Sequence, residues 1–257
     1  MNAAAAAIRH PTYPAFLVVA DRRCAVFGGS GAFVADKVEG LLAAGARVRL
    51  VTPDLEPGLA RAAADGWLVH VPRTFRPGDL ERTFLAVAER DAPDLDAIEA
   101  EARRLEVPLN VVDEPRRCSF ILPSIVRRGD LAVAVSTGGK APALAVRLRQ
   151  ALEHQLGDHH ARFLELAGAL RAPLAERVAE FGERRRIWYR LVDSDVLDLL
   201  AAGDETAAAA RIAEITGVPS VFVGAEEGGA MSEPDAAPGP PVAMTAPGST
   251  AAQEMEP

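Results

Sequence analysis

The chain has 257 residues, enough for one or two domains, and its 49% apolar and 25% charged residues are typical of a soluble globular protein. No apolar run reaches the ~18 residues of a membrane helix. The first residues lack a basic start and a long apolar core, so we expect neither a membrane span nor a signal peptide. Two cysteines are too few for a disulfide framework, which favours a reducing, cytoplasmic setting.

The net charge of −8 is unevenly distributed. Residues 223–257 hold six acidic and no basic side chains and are rich in Pro and Gly, which predicts a disordered tail. By contrast, residues 114–150 hold only Glu114 and Asp130 against seven basic residues: Arg116, Arg117, Arg127, Arg128, Lys140, Arg147 and Arg149. A local basic excess suits an anionic ligand, although a solvated surface is the more ordinary explanation of this segment taken alone.

The first predicted elements form a strand, turn, helix and strand. An apolar strand at 24–27 leads into a glycine turn at 28–31, and apolar residues at helical spacing come next over 34–42. A second strand is predicted at 47–51. This order is one βαβ unit.

The glycine turn has the spacing of a dinucleotide-binding turn. Its first glycine permits a tight turn, its second lets the backbone approach a pyrophosphate, and the helix start offers free N–H groups. We therefore expect NAD to contact the turn at Gly29, Ser30, Gly31, Ala32 and Phe33. The next position, usually a small residue, is the larger Val34.

A second part of the predicted NAD site lies after the second strand. Asp54 is 25 residues beyond Gly29, where an acid can bond the ribose hydroxyls of NAD and repel the extra phosphate of NADP. Pro53 is assigned to the same site. The alternative is a purely structural glycine turn with an ordinary loop after the second strand.

The remaining elements extend the alternation. Strands are predicted at 67–71, 84–88 and 109–112 and a helix at 94–105, which indicates an α/β, Rossmann-like, mostly parallel sheet with helices on both faces. A further strand at 131–135 precedes a helix that begins near Pro142. From residue 158 the pattern is helical.

Several sequence blocks together resemble a known family. The most specific are Asn110-Val-Val-Asp-Glu-Pro115, Ser119-Phe-Ile-Leu-Pro-Ser-Ile-Val-Arg127 and Leu131-Ala-Val-Ala-Val-Ser-Thr-Gly-Gly-Lys-Ala-Pro-Ala-Leu-Ala145. Weaker matches lie at 13–17, 37–42, 44–48 and 182–188. Over 13–215 the chain resembles the precorrin-2 dehydrogenase/sirohydrochlorin ferrochelatase family, the N-terminal module of siroheme synthases, without the methyltransferase half.

The resemblance implies NAD-dependent oxidation of precorrin-2 to sirohydrochlorin, with Fe²⁺ insertion as a further step that the family performs. It also implies a homodimer, and no nucleic-acid or membrane partner is expected. The implied organisation is an NAD-binding domain at 1–115, a dimerisation and substrate segment at 116–157, and a small helical domain at 158–222. The tail at 223–257 comes last.

The resemblance also assigns roles to individual residues. Asp113 matches the family's catalytic Asp, implicated in both steps, although an Asp before Glu-Pro is also a common turn former. The substrate is a tetrapyrrole with eight carboxylates. We expect these to be bound by the loop at 136–140 and one arginine, namely Ser136, Thr137, Gly138, Gly139, Lys140 and Arg117. No resident metal is expected.

The chain departs from the family pattern beside the cofactor. Ala88-Glu-Arg-Asp91 stands where the family usually has Ala-Ala-Thr-Asp, and Asp96 stands where it usually has Asn. One extra residue lies between the glycines and Lys37. Two alternatives therefore stay open: a chelatase without dehydrogenase activity, and a non-catalytic NAD-sensing module that needs neither Asp113 nor the basic segment.

Overall fold

The computed structural model describes residues 12–28, 32–55 and 57–219. The chain divides into two compact units, with the break between Ile121 and Leu122. The tail predicted at 223–257 lies outside the described residues.

The first unit is built on a five-stranded parallel sheet. Its strands and α-helices are β1 (Arg23–Phe27), α1 (Ala32–Ala43), β2 (Arg47–Val51), α2 (Pro57–Ala64), β3 (Leu68–Val71), β4 (Leu85–Ala88), α3 (Leu95–Arg104) and β5 (Leu109–Val111), and a short 3₁₀ helix at Pro115–Arg117 follows β5. The strand order is β3-β2-β1-β4-β5, and every neighbouring pair is parallel. The predicted Rossmann-like sheet is confirmed. Its strand order reverses beside β1, where such sheets bind their ligands.

An apolar core covers each face of this sheet, as expected for strands buried on both sides. On one face Val34 and Val38 of α1 pack with Val26 and Leu50. On the other face Ile98 of α3 belongs to a second cluster, together with Ala25, Phe27, Ala86, Ala88 and Ala102. Cys24 is buried in the first cluster, and burial raises the pKa of its thiol to about 11, which makes it a core residue and not a nucleophile.

The connection from β3 to β4, residues 72–84, contains no helix and is held by two buried carboxylates. Asp79 accepts hydrogen bonds from Arg73, Arg49 and the backbone N–H of Arg76. Glu101 of α3 accepts the backbone N–H groups of Gly78 and Leu80 at 3.0 and 3.1 Å. These bonds hold the loop against the core, into which it inserts Phe75 and Leu80.

The second unit begins with a hairpin of β6 (Ser124–Arg128) and β7 (Leu131–Val135). The strand predicted at 131–135 is present, but it pairs antiparallel with β6 in a sheet of its own. Only Gly129 and Asp130 join the two strands, and a parallel pairing would need a crossover of a dozen or more residues. Gly129 has a φ of +54°, which suits the tight turn.

Among the residues described up to 219, five helices follow the hairpin: α4 (Pro142–Gln155), α5 (Asp158–Arg177), α6 (Phe181–Val192), α7 (Val196–Ala201) and α8 (Glu205–Thr216). The last four share one core that includes Leu170, Leu174, Leu191, Val196 and Ile212. The predicted helical end of the chain is confirmed to Thr216. Within the described residues, no helix is both long and apolar enough to cross a membrane.

Candidate functional site

The carboxyl ends of the parallel strands bring two predicted site residues, Asp54 and Asp113, to one edge of the sheet, together with Gly28 and Glu89. Gly28 follows β1, Asp54 follows β2, Glu89 follows β4 and Asp113 follows β5. In open parallel sheets this edge binds ligands, at the point where the strand order reverses. Here that point lies between β1 and β4, because the strands continue outward through β2 to β3 on one side of β1 and through β4 to β5 on the other.

The glycine turn is described only at its borders. Gly29, Ser30 and Gly31 lie outside the described residues, and Ala32 and Phe33 are the first two residues of α1. The backbone N–H of Gly28 donates to the carbonyl of Val51 at 3.4 Å. A β-carbon added to Gly28 would lie 2.8 Å from Oε2 of Glu89, so the absence of a side chain makes room for that carboxyl group.

The end of β2 offers a hydroxyl and a carboxylate. Thr52 is buried, and within the described part of the chain its Oγ1 has no hydrogen-bond partner. Pro53 and Asp54 are exposed directly after it. Buried hydroxyls usually have a partner, so an unpaired hydroxyl at this edge fits a site that a polar ligand completes. With Asp54 as an acceptor for ribose hydroxyls, these residues fit the adenosine half of NAD.

Asp113 combines backbone strain with exposure. Its φ of +59° is left-handed, a conformation that Asp and Asn adopt more readily than most residues. The N–H of Glu114 donates to the carbonyl of Val111 at 3.2 Å and closes the turn. Asp113 is therefore a turn former, and its carboxylate is also accessible to a ligand at this edge.

Side chains of the next segment hold the outer edge of β5. Ser119 Oγ accepts the backbone N–H of Leu109 at 2.8 Å, and Cys118 Sγ accepts that of Val111 at 3.2 Å. Asn110 Nδ2 donates to the carbonyl of Phe120 at 3.0 Å. Together they replace the hydrogen bonds of a neighbouring strand and fix the strand end that carries Asp113. Burial raises the pKa of the Cys118 thiol, so it stays protonated.

This support was not predicted, although the residues lie inside the motifs at 110–127. Their identities gave one usable signal, because Asn110 is a polar residue in an otherwise apolar strand. A buried polar side chain requires a partner, and the segment after β5 supplies it.

Arg117 lies in the first unit and is already paired. Its Nη1 donates to Asp96 at 2.6 Å and to Glu99 at 3.0 Å, and the hydrogen bond with Asp96 raises the pKa of the guanidinium. Asp96 is one of the positions where the chain departs from the family pattern. The role of Arg117 in binding a substrate carboxylate stays a prediction, and that role requires these ion pairs to open.

The loop at 136–140 in the second unit forms a tight turn before α4. Gly138 and Gly139 have φ values of +62° and +75°, which glycine adopts without strain. Lys140 N–H donates to the carbonyl of Thr137, and Ser136 Oγ accepts the N–H of Gly138. Gly139 and Lys140 are exposed. A hydroxyl and an ammonium group next to a helix start are suited to a carboxylate.

Other members of the basic excess have structural partners. Arg128 donates to the carbonyls of Leu156 and Glu153 and so caps the C-terminus of α4. Arg149 forms an ion pair with the side chain of Glu153. The basic excess is therefore divided between structural and accessible groups, and Lys140 belongs to the accessible ones.

Among the described residues, no group of three or more His, Cys, Asp or Glu side chains is arranged to hold a metal ion. The rings of His159 and His160 contact each other with their planes tilted by 42° and their centroids 4.2 Å apart.

Three family models match consecutive parts of the chain. A model described as NAD(P)-binding matches residues 15–124, one for the central region of sirohaem biosynthesis proteins matches 128–155, and one for the sirohaem synthase dimerisation region matches 159–215. The model named for dimerisation thus lies beyond the segment 116–157, to which the resemblance assigned that role.

Curated relatives share the same module. Siroheme synthase 3 of Aeromonas hydrophila is 38% identical over 227 residues, which is 88% of this chain and 47% of that protein. The siroheme synthase of Photobacterium profundum is 39% identical over 204 residues, or 79% of this chain and 43% of that protein. The chain spans about half the length of the curated relatives it matches.

Among solved structures, SirC, a precorrin-2 dehydrogenase, matches with a TM-score of 0.61 at 19% identity. The match covers 79% of this chain and 100% of the SirC chain. At this identity the likeness establishes a common fold.

Proposed function

We propose that the chain is a member of the siroheme synthase family over residues 15–215 and that it oxidises precorrin-2 to sirohydrochlorin with NAD as hydride acceptor. The observation that carries the proposal is the accessible carboxylate of Asp113 at the strand edge that also presents Gly28 and Asp54. A base and the residues that fit the dinucleotide thereby lie together at the carboxyl edge of a single parallel sheet.

The oxidation removes one hydride and one proton from the tetrapyrrole. NAD, when bound, accepts the hydride and supplies the chemistry that side chains lack. Asp113 accepts the proton as general base, a task for which its carboxylate must be ionised and accessible. Thr52 and Asp54 bind the adenosine half of the dinucleotide, and the exposed carboxylate of Asp54 disfavours a 2′-phosphate there.

The direct test supplies purified protein with precorrin-2 and NAD and follows NADH by absorbance, then adds Fe²⁺. We expect one NADH for each sirohydrochlorin formed. If the wild-type protein produces no NADH, the dehydrogenase proposal is wrong. If it still binds NAD and performs neither reaction, the chain is a nucleotide-sensing module instead.

One observation favours a second candidate, Fe²⁺ insertion without dehydrogenation. The carboxyl group of Glu89 lies against Gly28, at the edge where the dinucleotide has to bind. In chelation Fe²⁺ is a substrate, and two pyrrole N–H protons leave as it enters, so Asp113 has the same task as in oxidation. Siroheme formation from sirohydrochlorin without NADH from precorrin-2 would select this candidate.

The loop at 136–140 gives a prediction about substrate affinity. Replacing Lys140 by Ala should raise KM for the tetrapyrrole by about 3- to 10-fold with little change in kcat, because the ammonium binds a carboxylate that does not react. Arg147→Ala is the control, since Arg147 is an exposed cation on α4 outside this loop. Equal KM values for the two variants would remove Lys140 from the substrate site.

We further propose that the chain forms a homodimer through the region at 159–215. Three large apolar side chains of α6, Phe181, Tyr189 and Val192, are 72%, 59% and 49% exposed, which is costly on a surface that faces only water. Light scattering of the full chain should give the mass of two copies. Phe181→Asp should shift it toward one copy, and a wild-type mass of a single chain would contradict the proposal.

A further inference from the structure

Glu89 brings a negative charge to the predicted dinucleotide site. It is the first residue after β4, and its backbone N–H donates to the carbonyl of Phe27, the last residue of β1, at 2.9 Å. Its side chain extends toward β1, so that Cγ, Cδ and Oε2 lie 2.8–2.9 Å from where a β-carbon of Gly28 would be. The carboxyl group therefore covers the α-carbon of Gly28.

The position of Glu89 matters because Gly28 leads directly into the glycine turn and then into the start of α1. In βαβ units this is where the two halves of a dinucleotide join at the pyrophosphate. In such units the glycine turn brings backbone N–H groups close to an anion. The carboxylate of Glu89 lies beside Gly28, the residue before this turn. A carboxylate and a pyrophosphate are both negatively charged, so they repel each other.

We propose that Glu89 sets the dinucleotide affinity of this chain, because its carboxylate opposes the pyrophosphate at the glycine turn. This inference rests on the proposed function, since it requires that the edge bind NAD. The chain is therefore expected to bind NAD more weakly than a variant that has a neutral residue in place of Glu89. The reaction itself needs nothing from Glu89.

Direct binding measurements on the purified full chain test this. Kd for NADH is measured by nicotinamide fluorescence, and Kd values for ADP and adenosine by competition with NADH. Glu89→Gln keeps the shape and removes the charge, and it should bind NADH and ADP about tenfold more tightly, equivalent to about 1.4 kcal/mol. Adenosine has no phosphate, so its Kd should not change. The gain should shrink at high salt.

The control variant is Glu81→Gln, which makes the same change at an exposed position before β4, at the amino end of the strand that Glu89 follows. Its Kd values should match the wild type. A second variant, Glu89→Ala, separates charge from bulk: a gain with Ala and none with Gln would overturn the proposal, because obstruction and not charge would then limit binding.

Two further results are distinguishable. If the wild type and Glu89→Gln bind NADH equally, or Gln weakens binding, only the role of Glu89 is overturned and NAD use stands. If neither chain binds NADH or ADP, the dinucleotide site itself is wrong, and the dehydrogenase proposal fails together with this inference.

Discussion

Replacing Asp113 by Asn is expected to lower the rate of precorrin-2 oxidation at least about 100-fold, without measurable loss of stability. The rate falls because the amide cannot accept the proton, and a positioned general base contributes typically about 10²–10⁴-fold. Stability is retained because Asn tolerates the left-handed backbone that Asp113 adopts at φ +59°. NADH formation at saturating NAD and thermal unfolding measure the two effects.

Asp21→Asn is the matched control. Asp21 is exposed and also left-handed, with a φ of +59°, but it precedes β1 and so lies at the amino edge of the sheet. Its ion pair with Arg47 is between exposed groups and contributes little. We expect wild-type rates from it. Asp113→Ala is less informative, because Ala costs about 1 kcal/mol or more in the left-handed region.

If Asp113→Asn oxidises precorrin-2 at the wild-type rate, Asp113 is not the general base and serves only to form the turn after β5. A loss of rate accompanied by an equal loss in Asp21→Asn would point to a general effect of removing acidic charge. Only a loss confined to Asp113 supports a general base. The same comparison applies to Fe²⁺ insertion, which also releases protons.

The parallel sheet was predictable because the residues that mark each strand and its ends are close together in the sequence. The strands of the first unit are mostly apolar, although β2 alternates arginine with apolar residues, and each is bounded by turn residues or a helical pattern. Strand positions and fold class can therefore be read from the sequence. The hairpin of β6 and β7 was harder. Ser124–Arg128 has only one buried residue, Val126, and its two arginines hide the strand pattern.

The site was predictable to the extent that its residues come directly after strands. Asp54 and Asp113 were placed correctly at the carboxyl edge, because parallel strands bring their ends together. Contacts between distant residues were not predictable. Arg117 pairs with Asp96, which lies 21 positions earlier in the chain, and Glu89 lies against Gly28, which lies 61 positions earlier. Such pairs depend on how the elements pack, which periodicity does not report.

The largest expected effect on stability comes from Asp79, which is 4% exposed and holds the loop between β3 and β4. Burial alone would raise its pKa, but hydrogen bonds from Arg73 and the N–H of Arg76, with the charge of Arg49, outweigh burial and lower it. Asp79→Asn should destabilise the first unit by about 2–3 kcal/mol at neutral pH, because the arginines lose their buried partner.

The direction of the pKa shift of Asp79 determines how the loss of stability in Asp79→Asn depends on pH. A lowered folded-state pKa means that Asp79 stabilises the fold above its unfolded pKa, about 3.9, and that this contribution is lost as the pH falls through the lower folded-state value. The difference between wild type and Asp79→Asn should therefore be full at pH 7 and shrink below about pH 4. Asp65→Asn, which breaks only the exposed pair with Arg61, should cost less than about 0.5 kcal/mol at either pH.

Urea unfolding resolves this prediction if the fluorescence comes from the first unit alone. The chain has two tryptophans, Trp67 in the first unit and Trp188 in the second, so a Trp188→Phe background leaves Trp67 as the reporter. In that background Asp79→Asn should lower the urea midpoint at pH 7 much more than Asp65→Asn does. Equal midpoints for the two variants would mean that the ion pairs of Asp79 only compensate the cost of burying it, and that the loop is held by Glu101 and its apolar contacts instead.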